Sequence, residues 1–519
     1  MHWQDIVVVG LYICALAAIG LRTARRQTTT ARYFVAERSI PGWAAGMSLL
    51  ATIITSVTFI AYPGAAYAGD WNLLVPGIMF VLVVLLIGRV IIPFFRHAVS
   101  MSVYEYFGRR FGKPVRMYAS FAFAIGHFSK MGFVFYLLAL SVNGITGWPI
   151  GAIILTLGII TVFYTLIGGL EAVIWTDVLQ GFVLWSGIAV TIGILLFASP
   201  VPASQMLGAI VANHKMALGS MRFDLTAPTF WTLSIYGFFF YLQKYTADQT
   251  VVQRYLAART DKQAMQGISM GAWLCLPAWT AFMLIGSLLW AFYRFSGEVL
   301  PASITKPDQV FPHFMVTHMP LGLAGLFLAA LFGAAMSMLA SDLNCLAVII
   351  TEDFYAQFFP RHTDRRKLRI GKLSIGVCGL LAISVALRLA TTKGGALALY
   401  YTITAIVAGG LAGLFLLAFL SRRAGKAAAV VGIAVNLVFT AWATLTMSGG
   451  HTVNLHRWNY PWHEFSIGAI GNLLLLVSGL VAAYLIPARA SDNARLTLWS
   501  WLAAERQSRA TKLAFEGTE

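Results

Sequence analysis

"GWAAGMSLLATIITSVTFIAYPGAAYAG", residues 42–69 of a 519-residue chain, is apolar enough to cross a membrane and yet carries a run of hydroxyls. Thr52, Thr55, Ser56 and Thr58 precede Tyr62-Pro63-Gly64. A proline removes a backbone donor and crowds the carbonyl four residues earlier, and a glycine beside it loosens the chain. A helix interrupted there frees carbonyls around residues 51–59. Within a bilayer, freed backbone is tolerated only where it lines a cavity or meets other protein. The stretch therefore reads as a membrane helix that is either kinked for packing or broken to build a site.

The rest of the chain supports the membrane assignment. It is 59% hydrophobic and 11% charged, with mean hydropathy +0.75, where a soluble protein carries about 25% charged residues. Apolar runs of about 20 residues recur, each long enough to span a bilayer. They predict an all-α polytopic membrane protein of about thirteen helices. These lie near 4–22, 42–68, 71–95, 115–144, 149–168, 172–198, 229–252, 264–293, 321–356, 368–390, 397–421, 425–447 and 464–487. No cleavable signal peptide is expected, because the first apolar run lacks a basic leader and is followed by arginines. Cys14, Cys275, Cys345 and Cys378 all fall in apolar segments without CxxC spacing and read as small buried hydrophobes.

A net charge of +17 could suggest nucleic acid, but its distribution argues for topology. "RTARRQTTTARYFVAER", "QRYLAARTDK", "RHTDRRKLRIGK" and "SRRAGK" fall on one set of alternate loops. "SVNGITGWP" and "SPVPASQMLGAIVANHK" on the other set are nearly free of Lys and Arg. The positive-inside rule puts the basic set in the cytoplasm. The N-terminus is then outside and the basic tail at 488–519 in the cytoplasm, as expected for a multi-pass protein of the cell membrane. An enzyme is not expected, because no HExxH or paired Asp cluster occurs and the tail is too short for a catalytic core.

Several apolar segments carry ionisable residues, which within a membrane are functional hypotheses by default. Lys130 sits near the middle of the run from Met117 to Leu140, with His127 one turn away. Asp177 lies two turns into its helix, and Glu171 near the start of the same helix suits the helix dipole. Ser337 and Ser341 share a helical face, followed by Asp342 and Asn344; close helix packing explains such small residues equally well.

Four segments, "GGLEAVIWTDVLQ", "DQTVVQRYLAAR", "SMLASDLNCLAVIITEDFY" and "GGLAGLFLLAFLSRRAG", resemble in order the signature segments of the sodium/solute symporter family. The resemblance implies two inverted five-helix repeats at 42–198 and 229–421, the first helix of each being broken. A leading helix and basic loop (1–41), an external loop (199–228), two trailing helices (422–487) and the tail (488–519) complete the chain. Sodium is implied as the co-transported ion. By register its ligands are the carbonyls of Ala51, Ile54 and Ala334 and the hydroxyl of Ser337. Met338 departs from the usual Ser or Thr, and a thioether is a poor ligand for a hard cation. A second ion site known in some members matches Asp177 and Ser341, with Ala340 standing where another serine would be.

Counting back 47 residues from Asp177 reaches Lys130, where sialic-acid-transporting members carry an arginine for the substrate carboxylate and sugar-transporting ones an amide. Thr55 and Thr58 match polar positions facing the acid in those relatives. The expectation is sodium-coupled import of a small organic anion. Proton-coupled or uncoupled carriage and a neutral sugar or polyol cargo are the alternatives, with a transporter-like sensor further off. Lys130 fits either substrate recognition or a structural pair with a resident carboxylate such as Asp177. Lys244 matches a position at the inner gate of relatives, although Asp248 four residues on offers it a local pair.

Overall fold

A computed structural model describes residues 3–197, 199–302, 304–320, 322–391, 409–447, 453–486 and 496–516. Among them the secondary structure is helical, apart from one isolated bridge between Ile40 and Ala258. The principal helices are α1 (Trp3–Ala24), α2 (Gly42–Ile53), α3 (Ser56–Ala68), α4 (Leu74–Ala98), α5 (Lys113–Thr146), α6 (Ile150–Phe197) and α7 (Phe230–Ala247). They continue with α8 (Gln249–Ala257), α9 (Asp261–Ser296), α10 (Leu323–Val348), α11 (Asp364–Thr391), α12 (Leu411–Leu420), α13 (Lys426–Thr446) and α14 (Phe465–Leu485). Nine helical stretches among the described residues are long and apolar enough to span a bilayer, and α2 with α3 make a tenth. Leu85, Phe163 and Leu380 point outward and are exposed, as lipid-facing side chains must be. The predicted helix at 397–421 is seen only as α12, because 392–408 lie outside the described residues. Within the tail, Leu498–Glu516 form a further helix that the sequence reading left unassigned.

α6 has 48 residues, about 72 Å at 1.5 Å per residue, far more than one bilayer. Gly169 divides it with φ 59° and ψ −159°, a conformation that glycine alone adopts freely. The two predicted helices at 149–168 and 172–198 are therefore its two arms. Glu171 opens the second arm and pairs with Arg32 at 3.0 Å, so its work is structural.

The break in the 42–68 segment is real but misplaced in the sequence reading. Pro63 sits inside α3, and the chain leaves helical geometry at Ile54 and Thr55, with a bend of 58° between the two halves. The reason is local. Thr55 caps α3 by accepting the Thr58 N–H at 3.3 Å, while Thr58 Oγ1 accepts the Thr55 N–H at 3.4 Å. In an unbroken helix those two N–H groups would serve the carbonyls of Ala51 and Ile54. The reciprocal cap diverts both donors and releases both carbonyls.

A second break interrupts the predicted helix at 229–252. α7 ends at Ala247, Asp248 is extended (φ −103°, ψ 113°), and its carboxylate restarts the chain as α8 by accepting the Thr250 N–H at 2.9 Å. α9 splints the first break from outside. A Cβ on Gly267 would stand 2.2 Å from the Gly42 carbonyl oxygen, and one on Gly286 2.2 Å from that of Pro63. Only glycine permits backbone approach this close, so one rod holds both α2 and α3.

Candidate functional site

The two breaks open onto one cavity of about 640 Å³. Thr52, Thr55 and Thr58 line it from the first break, and Asp248 and Thr250 from the second. α5 adds His127 and Lys130, and the aromatic residues Tyr62, Tyr236 and Phe240 form much of the wall. The Lys130 side chain is 35% exposed in a molecule whose neighbouring carboxylates are nearly sealed, so its ammonium faces this space.

Lys130 does not pair with Asp177, the partner that sequence reasoning named. Its Nζ lies 3.4 Å from Asp342 Oδ2, on α10. Asp342 Oδ1 lies 2.7 Å from His127 Nδ1, and His127 Nε2 lies 3.3 Å from Asp248 Oδ2. The same Asp248 oxygen receives Lys244 Nζ at 2.5 Å. Five ionisable groups thus run in file from α5 through α10 to the α7–α8 break. The His127 ring is also stacked on Phe123, with centroids 3.8 Å apart, which fixes its plane.

Asp177 belongs to a separate cluster. It is fully buried and accepts from Ser48 and from Ser337, each at 2.5 Å, and from Arg254 at 3.3 Å. Arg254, itself fully buried, also donates to Ser48, to Ser341 and to the Thr250 carbonyl. Ser341 donates to the Ser337 carbonyl at 2.8 Å. A cation bound by Asp177 and Ser341 would have to share them with this guanidinium.

The other predicted sodium ligands lie where two helices meet. Ala51 and Ile54 carry the released carbonyls at the end of α2, and Ala334 and Ser337 are one turn apart on α10, which packs against α2. Because Ser337 gives its proton to Asp177, its oxygen keeps lone pairs for a cation. Met338 lines the cavity with sulfur, not oxygen.

Sequence reasoning missed the roles of Asp342, Arg254 and Ser48. The signal for Asp342 was available, since a carboxylate within a membrane helix calls for an explanation. Arg254 lies in a polar stretch that looked like the start of a loop; the restart at Asp248 folds it inside.

Comparison with known proteins gives the family and the fold. The model of the sodium:solute symporter family matches residues 33–435. A sodium/sialic acid symporter of Aliivibrio fischeri is 32% identical over 483 residues, covering 91% of each chain. Sodium-coupled monocarboxylate transporter 2 of Bos taurus is 29% identical, covering 85% of this chain and 72% of its own. The solved structure of a Na+-coupled sialic acid symporter, substrate-bound and outward-open, superposes with a TM-score of 0.86 at 30% identity, covering 94% of this chain and all of that one.

Proposed function

Because the chain belongs to the sodium:solute symporter family, whose members are multi-pass sodium-coupled transporters and not enzymes, we propose that it imports a small carboxylate-bearing solute together with sodium. The observation that carries this reading is Lys130, a partly exposed cation lining a cavity that two helix breaks help to build. An ammonium there needs an anion or water, and a substrate carboxylate is an anion the cavity can admit. The names of the relatives, sialic acid and monocarboxylates, suggest that cargo class. Thr55 and Thr58 add hydroxyls to the same wall.

Sodium is assigned to the carbonyls of Ala51, Ile54 and Ala334 with the hydroxyl of Ser337, and Asp177 and Ser341 are the second candidate pair. Lys244, held by Asp248, is assigned to the inner gate. The cavity lining continues through Leu73, Leu233 and Phe465, at the ends of α4, α7 and α14 away from the basic loops. With those loops in the cytoplasm, the N-terminus is outside, the C-terminus inside, and the cavity faces outward.

Proteoliposome uptake tests the proposal. Labelled sialic acid and pyruvate should accumulate under an inward sodium gradient, while glucose should not. Accumulation that follows a pH gradient and ignores sodium would replace sodium by protons; counterflow indifferent to both gradients would make the protein an uncoupled carrier.

A further inference from the structure

Among the described residues, three buried carboxylates at or near the cavity each have a cation. Arg254 serves Asp177, Lys244 serves Asp248, and Lys130 serves Asp342. The third pairing is unlike the others. Asp342 is fully buried, and its Oδ2 has no hydrogen-bond partner among the described residues; the charge facing it is Lys130 Nζ at 3.4 Å. Lys130 in turn lines the cavity, as Lys244 does, and is the more exposed of the two, at 35% against 20%. One ammonium therefore stands between a resident carboxylate and the place a substrate carboxylate would occupy.

We propose that Lys130 is a shared counter-ion: it neutralises Asp342 while no acid is bound, turns to the carboxylate of an arriving substrate, and leaves at Asp342 Oδ2 a bare charge that draws in the co-transported cation. This rests on the proposed function and supplies its coupling step. Asp342 acts as a cation ligand conditional on substrate. An acid and a sodium ion then bind cooperatively, because one ammonium cannot neutralise two carboxylates, and the cooperativity is reciprocal. A neutral cargo would leave Lys130 on Asp342 and gain nothing from sodium. His127 holds the other Asp342 oxygen at 2.7 Å, so the carboxylate stays in place when Lys130 leaves.

Sodium alone tests this in the full-length protein. In Lys130→Met, Asp342 lacks its counter-charge permanently, so sodium should bind without substrate. Titrating sodium chloride against choline chloride at constant ionic strength, and following thermal stability, should give a sodium affinity roughly tenfold tighter than wild type. The gain should vanish in Lys130→Met/Asp342→Asn and be absent in Asp342→Asn. Lys130→Gln, which keeps a donor for Oδ2 without its charge, serves if the methionine variant does not purify. No gain in Lys130→Met or Lys130→Gln, or a gain that survives loss of the Asp342 charge, overturns the inference. The proposed function stands or falls separately, on sodium-driven uptake by the wild type.

Discussion

Lys130 stands on α5 with its Nζ 3.4 Å from the Asp342 carboxylate on α10. An ammonium amid apolar residues demands a partner, and that demand is visible in the chain; Asp342, far away in sequence, becomes its partner only through the packing of α5 against α10. Removing one member of a buried ion pair costs about 3–5 kcal/mol, and each 1.4 kcal/mol is tenfold in affinity. Because Lys130 is about a third exposed, that cost must be discounted. Lys130→Met is expected to weaken binding of the acid by roughly a hundredfold, and Lys130→Arg to retain it. Equal losses for the acid and its methyl ester, measured by calorimetry, would show that Lys130 never meets the substrate's charge. Thr58 supports a second prediction. Thr58→Val removes the oxygen that takes the Thr55 N–H, allowing that donor back to the Ala51 carbonyl. One hydrogen bond is worth about 1 kcal/mol, so the sodium concentration for half-maximal uptake should rise about fivefold, with Thr58→Ser close to wild type. An unchanged sodium dependence in the valine variant would separate the cap from the ion. The cap itself, Thr55-x-x-Thr58, is legible as a helix start, whereas Pro63, the stronger breaker by propensity, sits inside the helix.

At the scale of elements, hydropathy located the long spans because lipid demands runs of about 20 apolar residues. What it could not locate was where a helix stops without leaving the membrane. At both breaks the signal is a polar cap: Thr55 before Thr58 within an apolar run, and Asp248 before Thr250 where a polar stretch begins. Nor does hydropathy say which glycines meet. Gly42 and Gly46 form one small-residue face, Gly267 and Gly271 another, and α2 crosses α9 on them. Gly267→Ala would put a methyl group 2.2 Å from the Gly42 carbonyl oxygen, and overpacking of this kind costs about 1–3 kcal/mol. The variant should melt several degrees lower and bind sodium less well, because α2 carries Ala51 and Ile54. Gly10→Ala on α1, where a methyl group meets nothing within 4 Å, is the control. Equal melting of the two variants would mean that α9 is not the splint.

For the whole molecule, the charge asymmetry makes a claim that the arrangement of helices alone does not. An excess of Lys and Arg on alternate loops orients short-looped membrane proteins, and it is concentrated here at 22–38, 254–262, 361–372 and 422–426. The loop at 199–228 belongs to the opposite face. The two faces can be told apart by chemistry that does not cross a membrane. In a background with the four native cysteines replaced by alanine, Ser220→Cys and Thr363→Cys each place a single thiol at an exposed position. In intact cells a charged maleimide should label the cysteine at 220, whereas the one at 363 should react only after the membrane is opened. The orientation also decides the energetics, since one sodium ion moving inward through 100 mV gains about 2.3 kcal/mol from the potential. An outward-facing cavity uses that gain for import; the reverse orientation would make the same gradient oppose it. Labelling of 363 from outside, with 220 protected, would therefore invert both the topology and the direction of accumulation assigned to this protein.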